Sequence, residues 1–229
     1  MKRDPARREA ISAVIEDALH MMENLDIAHD ASHADRVWRN ARIVGQYAER
    51  DEQWVLDGDV IKLAAYLHDI APRTQKASEH AYESAAIAET LLRKQGLAEI
   101  VWPVCQIIVE HSYSSGRDAS SNESRVLSDA DRLDALGAIG IARSIATGGI
   151  LGAKGIYHPT DPLALTRTLD DRAWVVDNFR TKLLHLAETM NTRYAKVEGK
   201  RRTRVLRAYY DALLKEAGFI ITGHELSDE

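Results

Sequence analysis

The sequence predicts an all-α protein, a single helical domain over residues 1–229 built from about eight to ten helices. Two observations carry that prediction. Apolar residues recur three and four positions apart in one stretch after another, the period that lines one face of a helix. No stretch alternates apolar and polar residues as a half-buried strand does, and no repeat or Pro/Ser-rich linker divides the chain.

In order, Ile11, Val14, Ile15, Ala18, Leu19, Met22 and Leu25 keep the helical spacing over about 5–27. Asp30 is placed to cap a second helix over about 31–50, whose stripe includes Val37, Ala41, Val44 and Ala48. His33 lies four positions before Val37 and continues that stripe inward. A third helix over about 57–69 carries Val60, Leu63, Ala64 and Leu67, with His68 four beyond Ala64. Pro72 disfavours helical geometry at Ala71 and ends it.

Ser78 is placed to cap a fourth helix over about 79–95, ended by Gly96, in which His80 aligns with Ser84, Ile87, Ala88 and Leu91. A fifth, over about 97–111, presents Ile100, Val104, Ile107 and Ile108, and His111 falls at the next step. The polar segment 112–124 is expected to be a mobile loop. A sixth helix is expected over about 123–147, ended by Gly148 and Gly149. A Gly-rich loop holding Lys154, Tyr157 and His158 follows, and Asp161-Pro162 suits a cap and first helical position. Two long helices, over about 170–190 and 192–217, close the chain; Val175, Phe179, Leu183, Leu186 and Met190 mark the first.

Composition narrows the function classes. At 45% hydrophobic and 28% charged, the chain reads as a globular protein able to bury its own core. A net charge of −5 disfavours a general nucleic-acid binder, and with it a nuclease. No apolar run approaches the ~18 residues of a membrane span, so no membrane partner is expected. Cys105 is the only cysteine, which excludes an internal disulfide and suits a reducing cytoplasm. The run Lys200, Arg201, Arg202, Arg204 and Arg207 reads as the solvated side of the last helix.

The chemistry lies in the ionisable residues that extend the apolar stripes. His33, the pair His68-Asp69, His80, His111 and an aspartate near 129–131 each stand at the inner end of a helix. Burying so many such groups unpaired would cost roughly several kcal/mol each. A divalent cation satisfies imidazole nitrogens and carboxylates together.

These residues carry a resemblance. His33, then His68-Asp69, then Ala130-Asp131-Arg132-Leu133 resembles the H…HD…D signature of the HD-domain metal-dependent phosphohydrolases, and more specifically a small bacterial nucleotide phosphohydrolase-like branch. The surroundings match too: Ser32-His33-Ala34-Asp35-Arg36-Val37 resembles the family's HxxRV, and Ala65-Tyr66-Leu67-His68-Asp69-Ile70 its aLLHDi. The likeness covers at least residues 29–141, with 142–229 expected to complete the same domain. It implies an all-helical fold in which His33, His68, Asp69 and Asp131 bind a divalent metal, manganese preferred, with Mg, Co, Ni or Fe as alternatives. Helical phase alone does not decide between Asp129 and Asp131; the match of ADRL to the family pattern favours Asp131. Asp129 and Asp134 are then expected to act behind the ligands. His80 and His111 resemble residues that hold a second metal in dinuclear branches; the alternatives are that they contact substrate phosphate or only hydrogen-bond within the pocket.

The implied enzyme hydrolyses a phosphate ester or anhydride of a nucleotide, with a nucleoside triphosphate pyrophosphohydrolase as the sharper form. A bound metal lowers the pKa of its water and neutralises phosphoryl oxygens. Asp69 is the expected catalytic carboxylate. Arg36, Arg73, Lys76, Arg132 and Lys154 are candidates to hold substrate phosphates. The chain departs from one branch in lacking an acid just after the HD pair, where it reads HDIAPR; the expected substitute is Glu83, Glu110 or the metal alone, and the assignment stays open. Two further functions fit the same residues: a di-iron oxygenase, which needs His80 and His111 as ligands, and a non-catalytic ligand-binding module. The long C-terminal helices suit pairing into a homodimer.

Overall fold

The computed structural model describes residues 4–72, 77–111 and 117–219. Arg73, Lys76 and residues 112–116 of the expected loop lie outside them. The described residues form nine α-helices and one isolated bridge, between Gly155 and Trp174, with no strand. The fold is all-α.

One compact unit comprises Met1–Asp134 and Met190–Val197. It contains α1 (Pro5–Met22), α2 (Ala31–Asp51), α3 (Gly58–Leu67), α4 (Ala77–Lys94), α5 (Val101–Glu110) and α6 (Asn122–Asp134). Asp30 caps α2 by accepting from the His33 N–H at 3.0 Å. Asp57 caps α3 in the same way, through the Asp59 and Val60 N–H groups. α3 is short and apolar on every side: Val60 to Leu67 are buried except Lys62. A helix of that kind belongs at the centre of a core. It packs against α1, α2, α5 and α6, so its C-terminal end, where His68 and Asp69 follow, opens among the other helices. α4 begins at Ala77, which places Ser78 inside the helix and not at its cap.

The second unit comprises Ala135–Thr189 and Glu198–Glu229. It holds α7 (Gly137–Ile150), α8 (Asp177–Thr181), a 3₁₀ segment (Leu183–Thr189) and most of α9 (Arg193–Glu216). The single sixth helix expected over 123–147 is two helices. Leu136 is extended, at φ −115° and ψ 161°, and Gly137 has φ +70°, a left-handed conformation that glycine adopts without strain. Gly148 and Gly149 lie inside α7 and do not end it. A Cβ at Gly148 would run into Val175 Cγ2, so a larger residue there would have to displace that side chain.

The long helix expected over 170–190 is also corrected. The Val175 and Val176 N–H groups donate to the Gly155 and Ile156 carbonyls, and the Lys154 N–H to the Ala173 carbonyl. Those bonds remove the first turns of the expected helix, and only Asp177–Thr181 is α-helical. Asp161 starts no helix; its carboxylate instead accepts the Leu165 and Thr166 N–H groups within a loop.

Candidate metal centre

Each member of the cluster arrives from a helix end. His33 is the third residue of α2 and His68 the C-cap of α3, with Asp69 directly after it. His80 lies in the first turn of α4, His111 is the C-cap of α5, and Asp131 lies in the last turn of α6. Side chains at helix ends can point along the axis into a shared space, which is why residues up to 98 positions apart meet here.

The atoms that converge are His33 Nε2, His68 Nε2, Asp69 Oδ2 and Asp131 Oδ1. The two nitrogens are 3.2 Å apart. Asp69 Oδ2 lies 3.7 and 3.8 Å from them, and Asp131 Oδ1 3.7 and 3.9 Å. A cation about 2.1 Å from each ligand separates adjacent ligands by about 3.0 Å and opposite ones by about 4.2 Å. The nitrogen–nitrogen and nitrogen–oxygen separations fall in that range. His33, His68 and Asp69 are buried, while Asp131 is a quarter exposed and marks the open side.

Tautomers test whether a metal fits. His33 Nδ1 faces Asp134 Oδ2 at 2.8 Å, and His68 Nδ1 faces the Ala65 carbonyl at 3.0 Å. Both partners only accept, so a ring that is neutral carries its proton on Nδ1 and presents a bare Nε2. Burial pushes the His68 imidazole down to about 3, so it is uncharged at neutral pH. With His33 neutral as well, two lone pairs meet at 3.2 Å, a repulsion that a shared cation turns into attraction. Charge agrees: three carboxylates, Asp69, Asp131 and Asp134, against the Arg36 guanidinium leave two negative charges for a divalent ion to neutralise. The residues fit the group.

The outer oxygen of Asp69 has its own partners. His80 Nε2–H donates to Asp69 Oδ1 at 2.9 Å, and His111 Nε2 lies 3.5 Å from the same atom. His111 Nδ1–H donates to the Ile108 carbonyl. Burial pulls the His111 imidazole down, the hydrogen bond and charge of Asp69 lift it, and the balance is upward. Ligand atoms lie within 4.8 Å of one another in two groups, His33 with His68 and Asp69, and His68 with His111 and Asp131.

The structure separates the aspartates that helical phase could not. Asp129 is fully buried and accepts four hydrogen bonds, from Asn191 N–H and Nδ2 and from Thr192 N–H and Oγ1, all at 2.8–2.9 Å. It is turned to the start of α9, and Asp131 alone of the pair meets the histidines. Asp134 binds His33 and Arg36.

Glu83 is exposed on α4, and Lys154 is exposed in the second unit. Arg132 is half-buried beside Asp131 on α6. Glu110 is buried; hydrogen bonds from Ser120, Ser124 and Gln106 outweigh burial and hold its carboxyl below the usual range. It is therefore ionised and ties residue 120 to α5 through the Ser120 N–H at 3.0 Å.

Sequence reasoning missed His29, which is buried with its ring edge against His33 at 5.9 Å between centroids. Its place four residues before His33, one helical step away, was the available signal. The role of Ser84 was also missed. Its hydroxyl accepts the Ala71 N–H at 3.2 Å and fixes the turn after Asp69 to α4.

The sequence model of the HD domain matches residues 30–136, the stretch that supplies all of these ligands. A solved HD-superfamily hydrolase of Bacillus thuringiensis is 30% identical, over 93% of this chain and 98% of its own, with a TM-score of 0.63. The chain belongs to the HD superfamily. A Lactobacillus plantarum protein of known structure is 28% identical over 91% of this chain and 96% of its own, with a TM-score of 0.72. The uncharacterised Bacillus subtilis protein YpgQ is 25% identical over 193 residues, 82% of this HD protein and 84% of YpgQ. The structure of YpgQ in complex with ADP aligns with a TM-score of 0.68 at 27% identity, over 92% and 96% of the two chains. Among the described residues, no single helix is long and apolar enough to cross a membrane.

Proposed function

We propose that this HD protein is a divalent-metal-dependent phosphohydrolase acting on nucleotides, with nucleoside triphosphate pyrophosphohydrolysis as its preferred reaction. The observation that carries the proposal is that two imidazole nitrogens 3.2 Å apart each have an oxygen of Asp69 and one of Asp131 at 3.7–3.9 Å. His33, His68, Asp69 and Asp131 would hold one ion. Two imidazoles in the set favour manganese or ferrous iron over magnesium. When bound, the ion would supply a water of lowered pKa and neutralise phosphoryl oxygens.

The chain's own residues do the rest. Asp69 presents one oxygen to the ligand group while His80 holds the other, which fixes the carboxylate plane. That bond uses the His80 Nε2 proton and favours one ion over two. Asp131, on the open side, borders the space where substrate enters. Arg132, next to Asp131 on α6, would be the phosphate contact.

Leaving-group chemistry favours an anhydride. Glu110 is ionised and Glu83 is solvent-exposed, so neither is suited to protonate an alkoxide. A pyrophosphate leaving group needs that help least. The ADP complex of YpgQ supports a nucleotide ligand. Coverage above nine-tenths of the chain by solved relatives supports one functional domain over residues 1–229. The lone Cys105 suits a reducing cytoplasm.

Assay of nucleoside mono-, di- and triphosphates with Mn²⁺, Mg²⁺ and Co²⁺ tests the proposal. The expected products are a nucleoside monophosphate and pyrophosphate, formed fastest with Mn²⁺. Release of phosphate from monophosphates alone would overturn the anhydride preference. Oxygen consumption by a form holding two irons would overturn the hydrolase reading.

A further inference from the structure

Arg36 follows His33 by three residues on α2, and sequence reasoning placed it among the phosphate contacts. Its geometry is different. Arg36 Nε donates to Asp134 Oδ1 at 2.8 Å and Nη2 donates to Asp134 Oδ2 at 3.1 Å, a two-pronged grip on one carboxylate. The same Oδ2 accepts the His33 Nδ1–H at 2.8 Å. Asp134 is 2% exposed, and its charge is compensated by the guanidinium. Drawing Arg36 away to a substrate phosphate would leave a buried carboxylate without its cation, which is strongly unfavourable.

Resting on the metal-dependent reading above, we propose that Arg36 and Asp134 are positioning residues which lock His33 as the Nδ1–H tautomer, so that Arg36 sets affinity for the cation and not for the substrate. Arg36 fixes the carboxylate plane from one side, and the carboxylate fixes the imidazole from the other. His33 Nε2 is thereby held as an acceptor 3.2 Å from His68 Nε2 before any ion arrives. Outer partners of this kind are worth about 10–100-fold in metal affinity.

The experiment compares the full chain with its Arg36→Met, Arg36→Lys and Asp134→Asn variants. Mn²⁺ affinity is read from the electron paramagnetic resonance signal of the free ion, with substrate KM measured separately at saturating Mn²⁺. Arg36→Met and Asp134→Asn are expected to weaken Mn²⁺ binding by about 10–100-fold. Arg36→Lys, which keeps the charge and loses the fork, should fall between them and the native chain. The KM of each should stay within about twofold of native. Native Mn²⁺ affinity with a raised KM in Arg36→Met would return Arg36 to the substrate side and overturn the inference. Long-range nitrogen–proton spectra of the unsubstituted, metal-free protein give a second test that no folding defect can obscure. They should show His33 protonated on Nδ1; protonation on Nε2 would overturn the inference. Failure of the native chain to bind Mn²⁺ at all would instead overturn the metal-dependent reading itself.

Discussion

Asp69→Ala is expected to lower turnover by about a thousand-fold or more, with Mn²⁺ no longer retained, because a lost ligand removes several kcal/mol of charge stabilisation. The size of the effect follows from the two faces of one carboxylate. Oδ2 stands 3.7 and 3.8 Å from the His33 and His68 nitrogens, and Oδ1 accepts from His80 at 2.9 Å. Removing both oxygens leaves the His80 N–H buried without its acceptor and returns the two bare imidazole nitrogens to mutual repulsion. Asp69→Asn is the gentler companion. It retains an acceptor for His80 and should fold, yet it gives up the negative charge that helps neutralise a divalent ion. Both variants should melt cooperatively. Turnover within tenfold of native in both would contradict the assignment.

Asp129→Ala should do the reverse. Four donors from Asn191 and Thr192 converge on a fully buried carboxylate, and its removal strands them. The expected cost is about 3–5 kcal/mol. In a chain of this size that lowers the melting midpoint by roughly 10 °C. The folded fraction should still load Mn²⁺. Asp131→Asn should melt near the native temperature and fail to load the ion. The pair is read by calorimetry and by metal analysis of the same samples, and an exchange of the two outcomes would reverse the roles of the two aspartates.

The contrast shows what was legible. α2, α3, α4 and α5 follow from helical spacing because their apolar faces are buried in one core, and spacing reports burial. The same logic placed His33, His68, His80 and His111 inward. Spacing could not place Asp129, whose partners lie 62 and 63 residues further on, or Arg36, whose acceptor lies 98 residues away. Such partners become visible only when the helices are assembled. The second unit was read less well for a related reason. Residues 174–176 carry a helical apolar stripe, but their backbone bonds go to the loop around Gly155 and Ile156. Tertiary hydrogen bonding overrides the local pattern there. The break before α7 is made by an extended Leu136 and a left-handed Gly137, which the apolar spacing does not register.

The central claim is that one divalent ion sits among four particular atoms. Anomalous diffraction at the manganese edge, from crystals of the full chain grown with Mn²⁺, measures this directly. The prediction is a single peak about 2.0–2.3 Å from His33 Nε2, His68 Nε2, Asp69 Oδ2 and Asp131 Oδ1. No peak at that position, or a peak whose carboxylate ligand is Asp129, would contradict it.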